Sequence, residues 1–381
     1  MLKKIHRYLV YEYNVELELH SIFIIFLKES DRIIMFDFSS CFNKDFEELY
    51  NMSFIPWGRM YNCNILITGA TGFIGSSIIR TINYFNTQYN LNCGIYALIR
   101  NPDKARIMFG DSVHLIQEDI GLPFQFDDNL DYIIHGACPT ESSYMVSNPV
   151  EVIRVSVLGT LNLLELAKRK NSSFLFLSSM ESYGEVQTEA LLNESDLGYI
   201  DPLKLRSCYP ESKRMCEMIV NSYSKEYGID AKSIRLAQTF GPGIEYGDKR
   251  VFAMMARSVI EGTDIVLKTK GESKHPYLYV MDAVTAIFAI LFNGVSGMAY
   301  NAANPATYCS IFEMGKMVST EFGKGRCKVK IENSNTNIYP NTTYLNLDIS
   351  KILSLGWKPK VNLKEMYNRL INYMTAIRNR Q

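Results

Sequence analysis

The stretch CNILITGATGFIGSSII, Cys63 to Ile79, constrains the fold more than any other part of this chain. An apolar run that suits a buried strand enters three glycines spaced three apart, Gly69, Gly72 and Gly75, and an apolar helical pattern follows. A residue without Cβ turns tightly and lets backbone N–H groups come close to a ligand. Gly69 and Gly72 are expected to make that turn together with Thr71, Phe73 and Ile74, while Gly75 lets the new helix pack against its strand. The helix N-terminus adds partial positive charge, so the bend reads as a cradle for the pyrophosphate of a dinucleotide.

The same strand-then-helix rhythm continues downstream. Strands are expected at Asn64–Thr68, Gly94–Ile99, Val113–Gln117, Tyr132–His135, Phe174–Leu177 and Ala231–Leu236. Helix-length patterns such as VEVIRVSVLGTLNLLELAKRK and YPESKRMCEMIVNSYSKEYG separate them. Alternation of this kind predicts an α/β fold, a Rossmann-type doubly wound parallel sheet with right-handed crossovers and ligands beyond the carboxyl ends of the strands. After Gly241 the rhythm loosens, with helices expected near Val251–Glu261, Asp282–Phe292, Ile311–Phe322 and Leu363–Ile377. The expected division is therefore an N-terminal extension over 1–60, an NAD(P)-binding Rossmann domain over 61–240, and mainly a smaller C-terminal substrate-binding lobe over 241–381. The extension is expected to be partly disordered or to follow a misplaced start, because Met35 and Met60 both stand where a chain could begin. Residues from Met35 read as a short acidic helix and a Pro-Trp turn, either packed on the flank of the domain or loosely attached.

Composition narrows the function. Forty basic residues balance forty acidic ones and no Lys/Arg block is present, which argues against a nucleic-acid partner. The eight cysteines contain no CxxC pair, so neither zinc nor any other metal is expected, and a reducing cytoplasm is. The most membrane-like stretch, Ser21 to Leu27, falls far short of the ~20 apolar residues that cross a bilayer. Glu12, Glu16 and Glu18 also break any signal-peptide pattern.

Three further stretches carry chemistry. The second expected strand ends at Arg100, where an acidic residue would hold the ribose hydroxyl of NAD and an arginine suits the 2′-phosphate of NADP, so both cofactors stay open. Asp119 and Ile120 follow the third strand, with Asp119 placed for an adenine amino group. In SCYPESKRMCE, Tyr209 and Lys213 lie four apart at a helix start and leave on one face, where the ammonium should lower the phenol pKa. Tyr209 could then take a proton from a hydroxyl as hydride leaves the same carbon. FLFLSSMESYGEV ends a buried strand with Ser179, suited to bind the reacting oxygen, and Glu181, a second acid/base or an orienting group.

Together, ITGATGFIGS, IIHGACPT, LSSMESYGEV, CYPESKRMCE, SIRLAQTFGPG and YLYVMDAV resemble the extended short-chain dehydrogenase/reductases, specifically the NAD-dependent nucleotide-sugar epimerases, dehydratases and decarboxylases, over about Cys63 to Tyr373. The resemblance is nearest to UDP-glucuronate decarboxylase-like proteins of surface-polysaccharide pathways. It implies a catalytic set of Ser179, Tyr209 and Lys213, with Tyr209 and Lys213 also holding the cofactor, and it puts Glu181 near the sugar C5. It further implies that Arg235, Gln238 and Arg250 meet the nicotinamide side and the nucleotide diphosphate. The implied reaction is transient oxidation at the sugar C4 by tightly held NAD, and the implied assembly is a homodimer through the two long helical stretches quoted above. Departures from the family pattern also matter. Met180 replaces the aspartic acid of 4,6-dehydratases and cannot donate a proton, which disfavours dehydration. His275 stands where the family has a substrate-side arginine, and Ser156 replaces an asparagine. Two alternatives stay beside this reading, an NADP-dependent reductase of a 4-keto-deoxysugar and a non-catalytic dinucleotide-binding module.

Overall fold

The structure, a computed structural model, describes residues 22–25, 34–37, 42–186, 189–332 and 342–379. The expectations for residues 1–21 lie outside the described residues. A seven-stranded sheet forms the centre: β1 (Asn64–Thr68), β2 (Gly94–Ile99), β3 (His114–Gln117), β4 (Tyr132–His135), β5 (Ser173–Ser179), β6 (Ala231–Leu236) and β7 (Ala299–Ala302). Its order is β7-β6-β5-β4-β1-β2-β3, and every neighbouring pair is parallel. The direction of strand order reverses between β1 and β4, so a crevice opens beyond their carboxyl ends, the place where open α/β sheets take ligands.

Successive side chains of a strand point to opposite faces, and β1 uses both. Ile65 and Ile67 join the core under α2 (Phe73–Tyr89) and α5 (Val280–Asn293), while Leu66 joins the one under α3 (Pro149–Lys170) and α4 (Cys208–Tyr227). The helices end where the sequence signals they should. Asn90 and Asn171 take left-handed conformations after α2 and α3, Gly228 does so after α4, and Pro149 opens α3 where its missing N–H costs nothing.

Two features depart from the expected division. After Gly241 the chain returns to the sheet: α5 packs on it and β7 pairs with β6, so 240/241 is not a clean border. The smaller lobe consists of a three-stranded sheet (Gln238–Phe240, Lys274–Tyr279, Asn304–Ser310), a parallel strand pair (Ile265–Leu267 with Val329–Ile331) and three helices, Val251–Glu261, Ile311–Phe322 and α6 (Leu363–Arg378). The second departure lies at the other end. Residues from 42 onward form α1 (Asn43–Tyr50) and a turn that are built into the core, with Phe46, Leu49, Trp57 and Met60 buried. The Trp57 indole donates to the Leu49 carbonyl (3.0 Å) and meets Phe85 and Phe288 edge-on. Asp45 accepts from Arg369 of α6 (2.6 Å) and from Tyr279 (2.8 Å), tying α1 to the lobe. The segment from 42 is thus packed on the flank of the domain, not loosely attached.

Candidate functional site

The crevice is a cleft of about 1910 Å³. Pockets for single small ligands run to about 1,000 Å³, so this one has room for a dinucleotide and a second ligand. Its walls include Gly69, Thr71, Gly72, Phe73, Ile74, Gly75, Arg100, Asp119 and Ile120. Ser179, Glu181, Tyr209, Lys213, Gln238, Arg250 and His275 line it as well. Residues spread over more than two hundred positions are therefore brought into one cavity by the strand order.

The glycine turn is as tight as its sequence implies. Gly69 has φ of 69°, and a Cβ there would lie 2.7 Å from the Gly136 carbonyl oxygen at the end of β4. A Cβ on Gly75 would strike the Gly69 carbonyl, so α2 starts flush against the turn. Gly72 caps α2 without any side-chain cap, leaving the first-turn N–H groups of Phe73 and Ile74 at the cleft wall for an anion. These residues fit the pyrophosphate of NAD.

Beyond the ends of β2 and β3, the Asp119 carboxylate accepts from the Gly121 N–H (2.8 Å) and from Arg154 (2.9 Å). Those bonds hold its pKa below the ordinary carboxylate value, the backbone bond contributing most. Ile120 packs where Gly159 of α3 leaves room. Arg100 lies close enough to lower the Asp119 pKa further, yet forms no ion pair among the described residues.

At the end of β5, Ser179 accepts the Glu181 N–H (3.2 Å) and stands near enough to the Tyr209 phenol to favour its ionised form. Tyr209 and Lys213 do share a face of α4. The Lys213 ammonium donates to the Leu177 carbonyl (2.8 Å) and sits 5.5 Å from the centre of the Tyr209 ring. The expected lowering of the phenol pKa is corrected here. Burial raises it above its ordinary value, the charges around Cys138 and Glu181 add to that, and Ser179 and Arg206 only partly offset it. The reason is that Lys213 is anchored on a backbone carbonyl while the phenol itself is out of water.

Below this set lies His135, which the sequence reading did not single out. Its Nδ1 is 2.8 Å from Thr68 Oγ1 and its Nε2 is 3.2 Å from Thr160 Oγ1. Thr68 Oγ1 already accepts from the Gly136 and Ala137 N–H groups, and Thr160 donates to the Ser156 carbonyl. Thr68 therefore donates to Nδ1, and the proton of a neutral imidazole sits on Nε2. Burial, with Lys213 nearby, pushes the His135 pKa down to about 3.

Glu181 is held by Arg206, which was also missed: one guanidinium nitrogen lies 2.8 Å and 3.0 Å from its two oxygens. Arg206 stands one turn before Tyr209, a spacing of three that could have marked it. Its carbon lies 5.9 Å from the Tyr209 ring centre. Met180 is buried beside Glu181. Arg250 is clasped by Asp248 (2.6 Å); burial alone would raise the Asp248 pKa, but the ion pair overcomes it and holds it low. His275 has a shielded Nδ1 without a partner among the described residues, and burial lowers its pKa to about 4. Arg235 is corrected: it does not line the cleft but forms a buried pair with Glu217 (2.7 Å), which also accepts from Ser178. Among the described residues no three His, Cys, Asp or Glu side chains are grouped to hold a metal ion, and no helix is long and apolar enough to cross a membrane.

A glycine cradle and a Ser/Tyr/Lys set opening on one cleft of a doubly wound sheet define a class of dinucleotide-dependent α/β enzymes. The chain belongs to the NAD-dependent epimerase/dehydratase family, whose profile matches residues 65–303. It is 30% identical to UDP-glucuronic acid decarboxylase 6 of Arabidopsis thaliana over 80% of this chain and 86% of that protein. It is 28% identical to UDP-glucuronic acid decarboxylase 1 of Xenopus tropicalis over 81% of this chain and 71% of that protein. Its fold is similar to a UDP-glucose 4-epimerase from Thermotoga maritima solved with UDP-glucose (TM-score 0.69, 22% identity, 82% and 99% covered). A dTDP-glucose 4,6-dehydratase from Bacillus anthracis in complex with NAD is similar too (TM-score 0.66, 20% identity, 83% and 98% covered).

Proposed function

We propose that this enzyme converts a nucleotide sugar through transient oxidation at C4, with decarboxylation of a UDP-hexuronate as the reaction favoured. The observation that carries the reading is the convergence of Ser179, Tyr209 and Lys213 at the carboxyl end of β5, in the same cleft as the glycine cradle. NAD, held by the turn at Gly69–Gly75, supplies a cationic ring and a hydride acceptor that also returns the hydride. Ser179 orients the C4 hydroxyl and Tyr209 takes its proton as the phenolate; Lys213 is a fixed positive charge near the phenol that favours this form against the burial that disfavours it. With C4 a ketone, the C5–C6 bond of a uronate can break. Its electron pair moves into the carbonyl as an enolate, carbon dioxide leaves, and C5 then takes a proton. Met180 supplies no acid for loss of water, and the decarboxylases among the relatives support loss of carboxylate.

Arg250 is assigned to the substrate diphosphate, for which it would exchange Asp248, and Gln238 and His275 to the neighbouring substrate wall. Because His275 is held neutral, it suits a hydroxyl or carbonyl better than a phosphate. Arg100, whose guanidinium forms no ion pair among the described residues, favours a second reading in which the cofactor is NADP and the reaction a keto-sugar reduction. We assign a homodimer to the α3/α4 face, where Val150 is 76% exposed and Met218 60%, with Ile153 and Met215 also uncovered. A cytoplasmic role in polysaccharide precursor synthesis follows from the same reading.

Purified protein is denatured to identify its bound dinucleotide, and intact protein is incubated with UDP-glucuronate, UDP-glucose and dTDP-glucose. Retained NAD with release of carbon dioxide from the first sugar is expected. Stoichiometric consumption of NADPH by a 4-keto-sugar would replace this reading with the second, and dinucleotide binding with no turnover of any sugar would leave a binding module.

A further inference from the structure

Cys63 and Cys93 are the residues immediately before β1 and β2. The parallel register pairs Asn64 with Gly94, so the two cysteines, 30 positions apart in the chain, lie side by side with their sulfurs 3.3 Å apart. Neighbouring strands run about 4.8 Å apart, within the Cα separation that a disulfide spans, and the sulfurs need only approach to about 2.0 Å to close the bond. Hydrogen bonds on both sides hold them in place. The Gly94 N–H donates to the Cys63 carbonyl (2.8 Å) and the Asn62 N–H to the Leu91 carbonyl (2.9 Å). The Asn86 side chain donates to the Cys93 carbonyl (2.8 Å) and accepts the Cys93 N–H (2.9 Å). Both cysteines are buried, yet Cys93 also belongs to the wall of a surface cup of about 540 Å³, together with Asn62, Asn64, Asn86, Asn90 and Asn92. A cup so rich in amide groups admits small hydrogen-bonding molecules. Among the described residues no other two cysteine sulfurs are in contact, and all are free thiols.

We propose that Cys63 and Cys93 are a reversible modification site, closed to a disulfide by hydrogen peroxide and reopened by a dithiol. The Cys93 sulfur, as thiolate, attacks one peroxide oxygen; the O–O bond breaks, the departing hydroxide takes up a proton and leaves as water, and Cys93 becomes a sulfenic acid. The Cys63 sulfur loses its proton and displaces that hydroxyl, giving the S–S bond and a second water. Two thiols are thereby oxidised by two electrons and the peroxide is reduced to water; a dithiol returns the electrons and is itself oxidised to a disulfide. The contact with Cys63 and burial both raise the Cys93 pKa, so little thiolate is present and closure is slow. The bond would join the amino ends of β1 and β2, opposite the cleft, and enclose β1, the glycine turn and α2 in one loop. Such a cross-link constrains the unfolded chain and leaves the cleft walls untouched, so oxidant staples the cofactor cradle without entering it.

The test treats the full chain with hydrogen peroxide, removes the peroxide with catalase, then denatures and alkylates the protein for thiol counting, intact mass and peptide mapping. The thiol count should fall by two from eight, the unalkylated protein should lose two hydrogens in mass, and one linked peptide pair should contain Cys63 and Cys93. Dithiothreitol should restore every thiol. The oxidised protein should melt about 2–5 °C higher than the reduced one, with its content of bound NAD unchanged. Cys63→Ser and Cys93→Ala, each shown to be folded by a melting temperature near that of reduced wild type, should gain neither the bond nor the rise. Sulfinic acid at either cysteine in place of the bond, a bond between other cysteines, or no loss of thiols overturns the proposal. So does a loss of two hydrogens that persists in either variant. An oxidised protein that melts at or below the reduced one, or that loses NAD, overturns the stapling of the cradle.

Discussion

The neutral histidine beneath the Tyr209 site makes a measurable demand on stability. His135 is fully buried between Thr68 and Thr160, and its folded pKa of about 3 lies below the 6.5 of an exposed histidine. Between those values the unfolded chain binds a proton that the folded protein refuses, so stability is complete above pH 6.5 and is lost as the pH falls. At pH 5 the unfolded state gains about 1.5 pK units of proton binding and the folded state almost none, a loss of about 2 kcal/mol. Asp282 runs the other way. Burial raises its pKa from 3.8 to about 6, so its protonation favours the folded state as the pH drops through 6, by roughly 1 kcal/mol at pH 5. The clean readout is therefore a difference between proteins: urea unfolding at about pH 7.5 and about pH 5 for wild type and His135→Gln. The glutamine amide can accept from Thr68 and donate to Thr160 without titrating. Wild type should lose about 2 kcal/mol more than the variant over that interval. Equal losses in the two proteins would refute the buried neutral imidazole.

Other outcomes follow from the same geometry. Tyr209→Phe should lower turnover by about 10²- to 10⁴-fold while bound NAD, measured after denaturation, stays at wild-type occupancy. Gly69→Ala forces a side chain into a left-handed conformation and onto the Gly136 carbonyl; a loss of about 1–3 kcal/mol and reduced NAD content should both be seen in thermal melts with and without NAD. Arg235→Met strands the Glu217 carboxylate in the interior, and urea unfolding should show a cost of about 3–5 kcal/mol, larger than that of replacing both partners by apolar residues.

The backbone of this fold was largely legible because it is written in local patterns. The glycine spacing, the apolar runs of β1, β2, β4 and β6 and the four-residue step from Tyr209 to Lys213 all appear where they were expected, since period and turn chemistry are properties of neighbouring residues. What escaped depends on partners distant in sequence. β7, Ala-Tyr-Asn-Ala, is too short to show a pattern and is a strand only because β6 offers it an edge. Arg235 reads like a cleft arginine until Glu217 claims it from α4. The phenol of Tyr209 was expected to be acidified by its lysine, but burial is a tertiary quantity and it dominates. Arg206 left a faint trace, its three-residue offset from Tyr209; nothing nearby in the sequence announced that Glu181 would hold it.

The clasp between Asp45, Tyr279 and Arg369 has a bearing on how this polypeptide emerges from the ribosome. Its acidic partner is made first, the tyrosine much later, and the arginine only with α6, 324 positions after the aspartate. Until then α1 offers a carboxylate without its counter-ion, so the lobe that closes one side of the cleft can lock into place only after α6 has been made.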